Sequence, residues 1–217
     1  MDQLIRVLVV DDHTVVRKGL CSLLTSKYGI EVIGEAADGL DAVNKARDLQ
    51  PDVILMDMVM PGMDGLVAIQ EIKKEDPDAR ILILSSFSED VQIVAAIRAG
   101  ALGYVLKDSS PDELVHTIHS AYLGKLSLSE DMFQLVLSKP EHVSSEIDLD
   151  AALTEREIDV LRELARGSSN PEIAETLSVS VTTVRSHISS ILGKLALENR
   201  TQAAIYANKA GLLTAEE

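Results

Sequence analysis

Apolar positions in the first part of the chain follow two spacings. Apolar runs at 5–10 (broken only by Arg6), 53–56 and 81–84 read as strands buried on both faces. Between them apolar residues recur every three or four positions. Val15, Val16, Leu20, Leu23 and Leu24 do so across 14–26, Ala42, Val43, Ala46 and Leu49 across 39–49, and Leu66, Ile69 and Ile72 across 65–75. That spacing predicts amphipathic helices. Shorter strands at 30–35 and 103–107, and helices at 89–99 and 111–123, complete the series; Pro51 and Gly100 close the helices they follow. Five strands alternating with five helices predict an α/β domain built on a doubly wound five-stranded parallel sheet.

In such a sheet, chemistry gathers at the carboxyl ends of the strands. Here those ends carry Asp11 and Asp12, Asp57, Ser85 and Lys107. Asp57 closes the run 52–57 and is followed by a loop that Pro61, Gly62 and Gly65 force to be tight. Singly, each residue has an ordinary reading: Asp57 as a helix cap, Lys107 as a surface lysine, Ser85 as an incidental hydroxyl. Together they form a hard oxygen-donor set suited to Mg2+, from Asp11, Asp12 and Asp57 with a loop carbonyl and waters. In that setting Asp57 is a carboxylate nucleophile for a phosphoryl group, Lys107 a cation for its oxygens and Ser85 a donor. His13 is expected to pack or to cap the first helix, and His116 and His119 to lie on a solvated helix face.

Composition fits a soluble globular chain: 217 residues, 46% hydrophobic and 25% charged, with no Trp. Cys21 is the single cysteine, which excludes an intramolecular disulfide and suits a reducing compartment. Neither a signal pattern nor an apolar run long enough to span a bilayer is present, so no membrane partner and a cytoplasmic location are expected. The net charge of -15 is uneven. Residues 1–137 hold 22 acidic and 12 basic residues, whereas residues 152–217 hold 9 and 7.

Residues 130–137 form a short amphipathic stretch, and 138–150 are polar and acidic, the composition of a linker. Beyond it the pattern is purely helical. Thr154 and Glu157 form a capping box before a helix that Gly167 ends; Asn170-Pro171-Glu172 opens a second; Ser178-Val179-Ser180 is a turn. A third helix begins at Thr182 or Thr183 and reaches about Leu195, and a fourth spans about 200–210. The third helix has Val184, Ile188, Ile191, Leu192 and Leu195 on one face and Thr182, Arg185, Ser186, Ser189 and Ser190 on the other. Two helices joined by a tight turn, the second polar outside, describe a helix-turn-helix, with Arg185 placed to reach guanine and Lys194 and Arg200 to reach phosphates. Pattern alone leaves a four-helix protein-interaction module open.

The runs VLVVDDH, VILMDMVMPGMDG, ILILSS and GYVLKD, in this order over about residues 4–124, resemble the receiver domain of two-component response regulators. The run from Leu153 to Ala204 looks like the LuxR-type DNA-binding domain, so the whole chain resembles NarL/FixJ-type response regulators. The resemblance implies a flavodoxin-like receiver (1–124), a linker with a short helix (125–151) and a small all-α helix-turn-helix domain (152–217). It implies that Asp57 is phosphorylated by a histidine kinase with Mg2+, held by Asp11, Asp12, Asp57 and the backbone carbonyl of Val59. Lys107 would contact the phosphate, and Ser85 and Tyr104 would form the switch pair. The family's DNA contacts fall on Thr182, Thr183, Val184, Arg185, Ser186, Ser189 and Lys194, with His187 expected to pack. Double-stranded promoter DNA with a near-palindromic operator, a homodimer formed on phosphorylation and RNA polymerase are the further partners implied. Self-phosphorylation and slow dephosphorylation would be the only catalysis. Pro171 and Ser189 stand where the family often has basic residues, which lowers non-specific DNA affinity. The rival classes are an aspartyl-phosphate phosphatase, for which no cap segment is present, and a phosphorelay intermediate whose second domain binds protein.

Overall fold

The computed structural model describes residues 4–86, 91–129, 132, 135, 136 and 153–212. The chain forms two compact units, Met1–Tyr122 and Leu123–Glu217.

The first unit alternates strands and helices as expected. Its elements are β1 (Ile5–Val10), α1 (Thr14–Leu23), a 3-10 turn (Ser26–Tyr28), β2 (Ile30–Ala36), α2 (Gly39–Leu49), β3 (Val53–Asp57) and α3 (Gly65–Glu75), then β4 (Ile81–Ser85), α4 (Val91–Arg98), β5 (Gly103–Leu106) and α5 (Pro111–Tyr122). The strand order is β2-β1-β3-β4-β5, with every pairing parallel. All five residues of β3 and all five of β4 are buried, which is why their sequences are continuous apolar runs and not alternating ones. Each fully buried aliphatic side chain here contributes roughly 1.5–3 kcal/mol. Helix α1 stops at Leu23, short of the expected residue 26. Leu24 leaves the helical region and is buried, and Thr25 caps the 3-10 turn, which Gly29 closes at φ 71°. Residues 89 and 90, expected to open α4, lie outside the described residues.

The second unit contains α6 (Glu155–Ala165), α7 (Asn170–Thr176), α8 (Val181–Lys194) and α9 (Arg200–Lys209). Each helix start has a side-chain cap. Thr154 with Glu157 and Ser169 with Glu172 form capping boxes, while Ser180 accepts from the Thr183 amide and Asn199 from the Gln202 amide. The Ser180 cap moves the start of α8 to Val181, one residue before the expected Thr182 or Thr183. The turn before it passes through Ser178 at φ 53°. Val160, Leu161, Leu164, Ile173, Val184, Ile188, Ile191, Leu195 and Ala203 meet in one aliphatic core. Of the expected linker helix, Met132 and Val136 are helical and buried; residues 137–152 lie outside the described residues. Among the described residues, no helix is long and apolar enough to cross a membrane.

Candidate functional site

In the first unit, the site follows from the strand order. β1 and β3 are neighbours, with Val10 opposite Met56, so Asp11 and Asp57 emerge side by side where the connections diverge to opposite faces. Asp11 is fully buried and Asp57 nearly so. From the far side, β5 delivers Lys107. Its Nζ lies 2.8 Å from Asp57 Oδ2 and 2.9 Å from Asp11 Oδ2. Its backbone amide donates to the Ser85 carbonyl at 2.7 Å, tying the tips of β4 and β5 together. Ser85 is buried one residue beyond Leu84, the register partner of Asp57, and Tyr104 is half-buried on β5. The four strand ends named from the pattern therefore converge.

The charge state follows from this packing. Burial pushes the Asp57 carboxyl above its ordinary value; the hydrogen bond and charge of Lys107 hold it down in part, and Asp11 adds to the rise. For Lys107, burial works against the charge but is outweighed by the hydrogen bonds and charges of Asp57 and Asp11, so its pKa is raised. Asp11 Oδ2 and Asp12 Oδ1 are both buried, and beyond the close approaches of Lys107 Nζ and His13 Nδ1 neither has a neighbour in hydrogen-bond geometry. Ligand atoms of Asp11, Asp12, His13 and Asp57 all lie within 4.8 Å of one another. Three converging carboxylates, Asp11 and Asp57 buried and Asp12 half-buried, form a hard oxygen set that fits a divalent cation of the Mg2+ class.

Three residues outside the expected set complete this site. Arg17 on α1 donates through Nη1 to the Asp11 carbonyl at 2.5 Å and through Nε to Glu35 at 3.3 Å, which fixes the β1–α1 loop. Gly65 allows α3 to start against the Asp57 carbonyl; a Cβ there would lie 2.2 Å from that oxygen. His13 occupies the N-cap position of α1 through its backbone, but its ring makes no cap bond: it is 67% exposed, and Nδ1 sits 2.7 Å from Asp12 Oδ1. Of Val59, the amide lies 3.4 Å from Asp57 Oδ1 and the side chain is exposed. His116 and His119 are exposed as expected, His119 Nε2 lying 2.9 Å from the Tyr28 carbonyl.

In the second unit, Thr182, Arg185, Ser186 and Ser189 are exposed in a stripe along α8, and Thr183 is half-buried with its hydroxyl 2.8 Å from Ser180 Oγ. Arg185 makes no ion pair among the described residues. One expectation is corrected, and two expected phosphate contacts are found paired within the unit. The Val184 side chain is fully buried in the core and is not available to base edges. Lys194 is held by Glu157 Oε2 at 2.7 Å. Arg200 braces the turn before α7, donating to Asn170 Oδ1 and the Ser168 carbonyl, each at 2.8 Å. His187 is half-buried on α8.

Comparison with known proteins agrees with both halves. Residues 7–119 match the response regulator receiver domain, and residues 151–207 the luxR family of bacterial regulatory proteins. The chain is 44% identical over 206 residues to the transcriptional regulatory protein LiaR of Bacillus subtilis, covering 95% of this chain and 98% of that one. A LuxR-family two-component response regulator from Aurantimonas superposes with a TM-score of 0.57 at 38% identity, over 61% of this chain and 95% of that one. RcsB of Salmonella typhimurium, solved in a study of conformational dynamism for DNA interaction, gives a TM-score of 0.55 at 28% identity, over 95% of this chain and 99% of that one.

Proposed function

Since the chain belongs to the two-component response regulators that pair a receiver with a LuxR-type DNA-binding domain, we propose that Asp57 is its phosphoacceptor and α8 its recognition helix. A transcriptional response regulator takes its phosphoryl group from a histidine kinase and acts on DNA, and is not an enzyme in the usual sense. The observation that carries the assignment is Lys107 Nζ shared between the buried carboxylates of Asp57 and Asp11, with Asp12 beside them.

Asp11, Asp12 and Asp57, with the Val59 carbonyl, would hold Mg2+, which when bound neutralises charge on the incoming phosphoryl oxygens. Asp57 Oδ1 is the freer oxygen, with one long contact at 3.4 Å, and is the attacking atom. An O–P bond forms at Oδ1 as the P–N bond to the kinase histidine breaks, and the imidazole leaves with the electron pair. Lys107 transfers its hydrogen bond from Oδ2 to a phosphoryl oxygen. Ser85 donates to a second oxygen, and Tyr104 on the neighbouring strand repacks against the vacated space. This shifts the population toward a dimer that sets two α8 helices one helical turn apart on a near-palindromic promoter site. Arg185 reads base edges, Thr182, Ser186 and Ser189 flank it, and RNA polymerase is the downstream partner.

Acetyl phosphate with Mg2+ tests the first half: intact mass should rise by one phosphoryl group in the wild type and stay unchanged in Asp57→Ala. A gain that persists in the variant overturns the assignment. For the second half, Arg185→Ala should cost about 1–3 kcal/mol of discrimination between a selected operator and random DNA.

A further inference from the structure

Glu157 is a buried carboxylate that the capping box does not exhaust. It is 4% exposed. Its Oε2 accepts from the Thr154 amide at 2.8 Å, the Thr154 hydroxyl at 2.9 Å and Lys194 Nζ at 2.7 Å, and its Oε1 from Ser190 Oγ at 2.5 Å. Two of these donors, Ser190 and Lys194, belong to α8 and lie one helical turn apart on the flank of the exposed stripe. The carboxyl is held far below its ordinary value, to about 2: burial alone would raise it, and Lys194, Ser190 and Thr154 together outweigh that. Glu157 is thus ionised at every physiological pH.

The other cations of this unit give this pair its meaning. Arg162 is paired with Asp159, Arg166 with Glu163, Arg156 with the Leu177 carbonyl and Arg200 with Asn170 and Ser168. Within α8 only two cations occur, Arg185 and Lys194, and the carboxylate that pairs with Lys194 is buried. Drawing Lys194 away to a phosphate would leave the Glu157 anion buried without a counterion, a larger loss than one phosphate contact returns.

Resting on the reading of α8 as the recognition helix, we propose that Glu157 is a specificity-determining residue. By holding Lys194 as an internal ion pair it withholds one cation from the DNA backbone, keeps sequence-independent affinity low and leaves discrimination to the Arg185 stripe. Glu157 touches no DNA; it acts through Lys194.

The test measures binding of the full-length chain to random-sequence 30-bp duplexes as a function of salt. Glu157→Gln frees Lys194 and should tighten this binding about eightfold near 0.1 M salt, steepening the log–log salt slope by about 0.9, the release of one counterion. Adding Lys194→Gln to that variant should return both to wild-type values. Lys194→Gln alone, in which Glu157 keeps its Thr154 and Ser190 donors and the glutamine amide can replace the ammonium as a donor, should leave the wild-type slope unchanged, and this arm decides the matter even where Glu157→Gln fails to fold. A purely structural role predicts the opposite sign, weaker binding in Glu157→Gln, and that result overturns the proposal. So does a slope that falls by about 0.9 in Lys194→Gln alone. A wild-type chain that binds no duplex at any salt overturns the DNA-binding assignment of α8 instead, and the two failures are distinguishable.

Discussion

A single missing side chain sets the position of the acidic site. At Gly65 any Cβ would fall 2.2 Å from the Asp57 carbonyl and 2.8 Å from Met58 Cα, both backbone atoms with no rotamer to yield. Gly65→Ala should therefore displace the β3 tip, destabilise the first unit by about 1–3 kcal/mol in urea unfolding, and slow labelling by acetyl phosphate. Loss of stability with labelling intact would show that the tip tolerates the shift. Asp11 gives a second expectation. With two buried carboxylates facing one ammonium, Mg2+ should raise the melting temperature of the wild type, and Asp11→Asn should raise it without Mg2+ while abolishing most of the Mg2+ response. Asp57 and Lys107 were legible in sequence because strand tips announce themselves as the end of an apolar run. Gly65 read only as a turn residue, since the atom it must avoid belongs to a backbone eight residues earlier. Arg17 gave no signal, because it binds a carbonyl, which every residue possesses.

Elements were legible where one periodicity ruled the whole segment, as in β3, β4 and α2. Their ends were less so. Helix α8 begins earlier than its apolar period suggests because the Ser180 hydroxyl accepts from the Thr183 amide, and caps are set by local hydrogen bonds, not by the buried face. The faces of α8 were readable too, except where a residue lay on the boundary. Val184 belongs both to the apolar set and to the motif of DNA contacts, and burial decides for the core. Ser169 makes a clean element-scale test. It is 1% exposed, and its hydroxyl and amide complete a capping box with Glu172. Ser169→Ala should destabilise α7 by about 1–2 kcal/mol, read as faster amide exchange over Glu172 to Ala174, with α6 protected as before. Uniformly faster exchange across the unit would instead mean that α7 does not open by itself.

At the scale of the molecule, what sequence could not supply was the pairing of distant charges. Glu157 and Lys194 are 37 positions apart, and Thr154-x-x-Glu157 reads as an ordinary solvated cap. The pairing predicts an acid response. A carboxyl whose folded pKa, about 2, lies below its ordinary 4.5 stabilises the fold above the ordinary value and loses that contribution as pH falls from about 4.5 toward 2. Methyl signals of Ile188 and Ile191 should therefore report a loss of second-unit structure in that window, with Glu157→Gln showing a shallower decline. A decline of equal steepness in the variant would place the acid sensitivity elsewhere.

The pairing of β1 with β3 has a kinetic consequence. Asp11 and Asp57 become neighbours only after the chain has passed through α1, β2 and α2 and returned, two crossovers that together close a long loop. Contacts of such high sequence separation carry their loop-closure entropy before any return, so parallel sheets fold slowly. A cation that needs both carboxylates cannot bind the denatured ensemble and reads out closure of that loop. In refolding experiments on the first unit, Mg2+ should slow the unfolding arm of the chevron and leave the folding arm unchanged where β1 meets β3 after the barrier. An accelerated folding arm would place that meeting inside the nucleus.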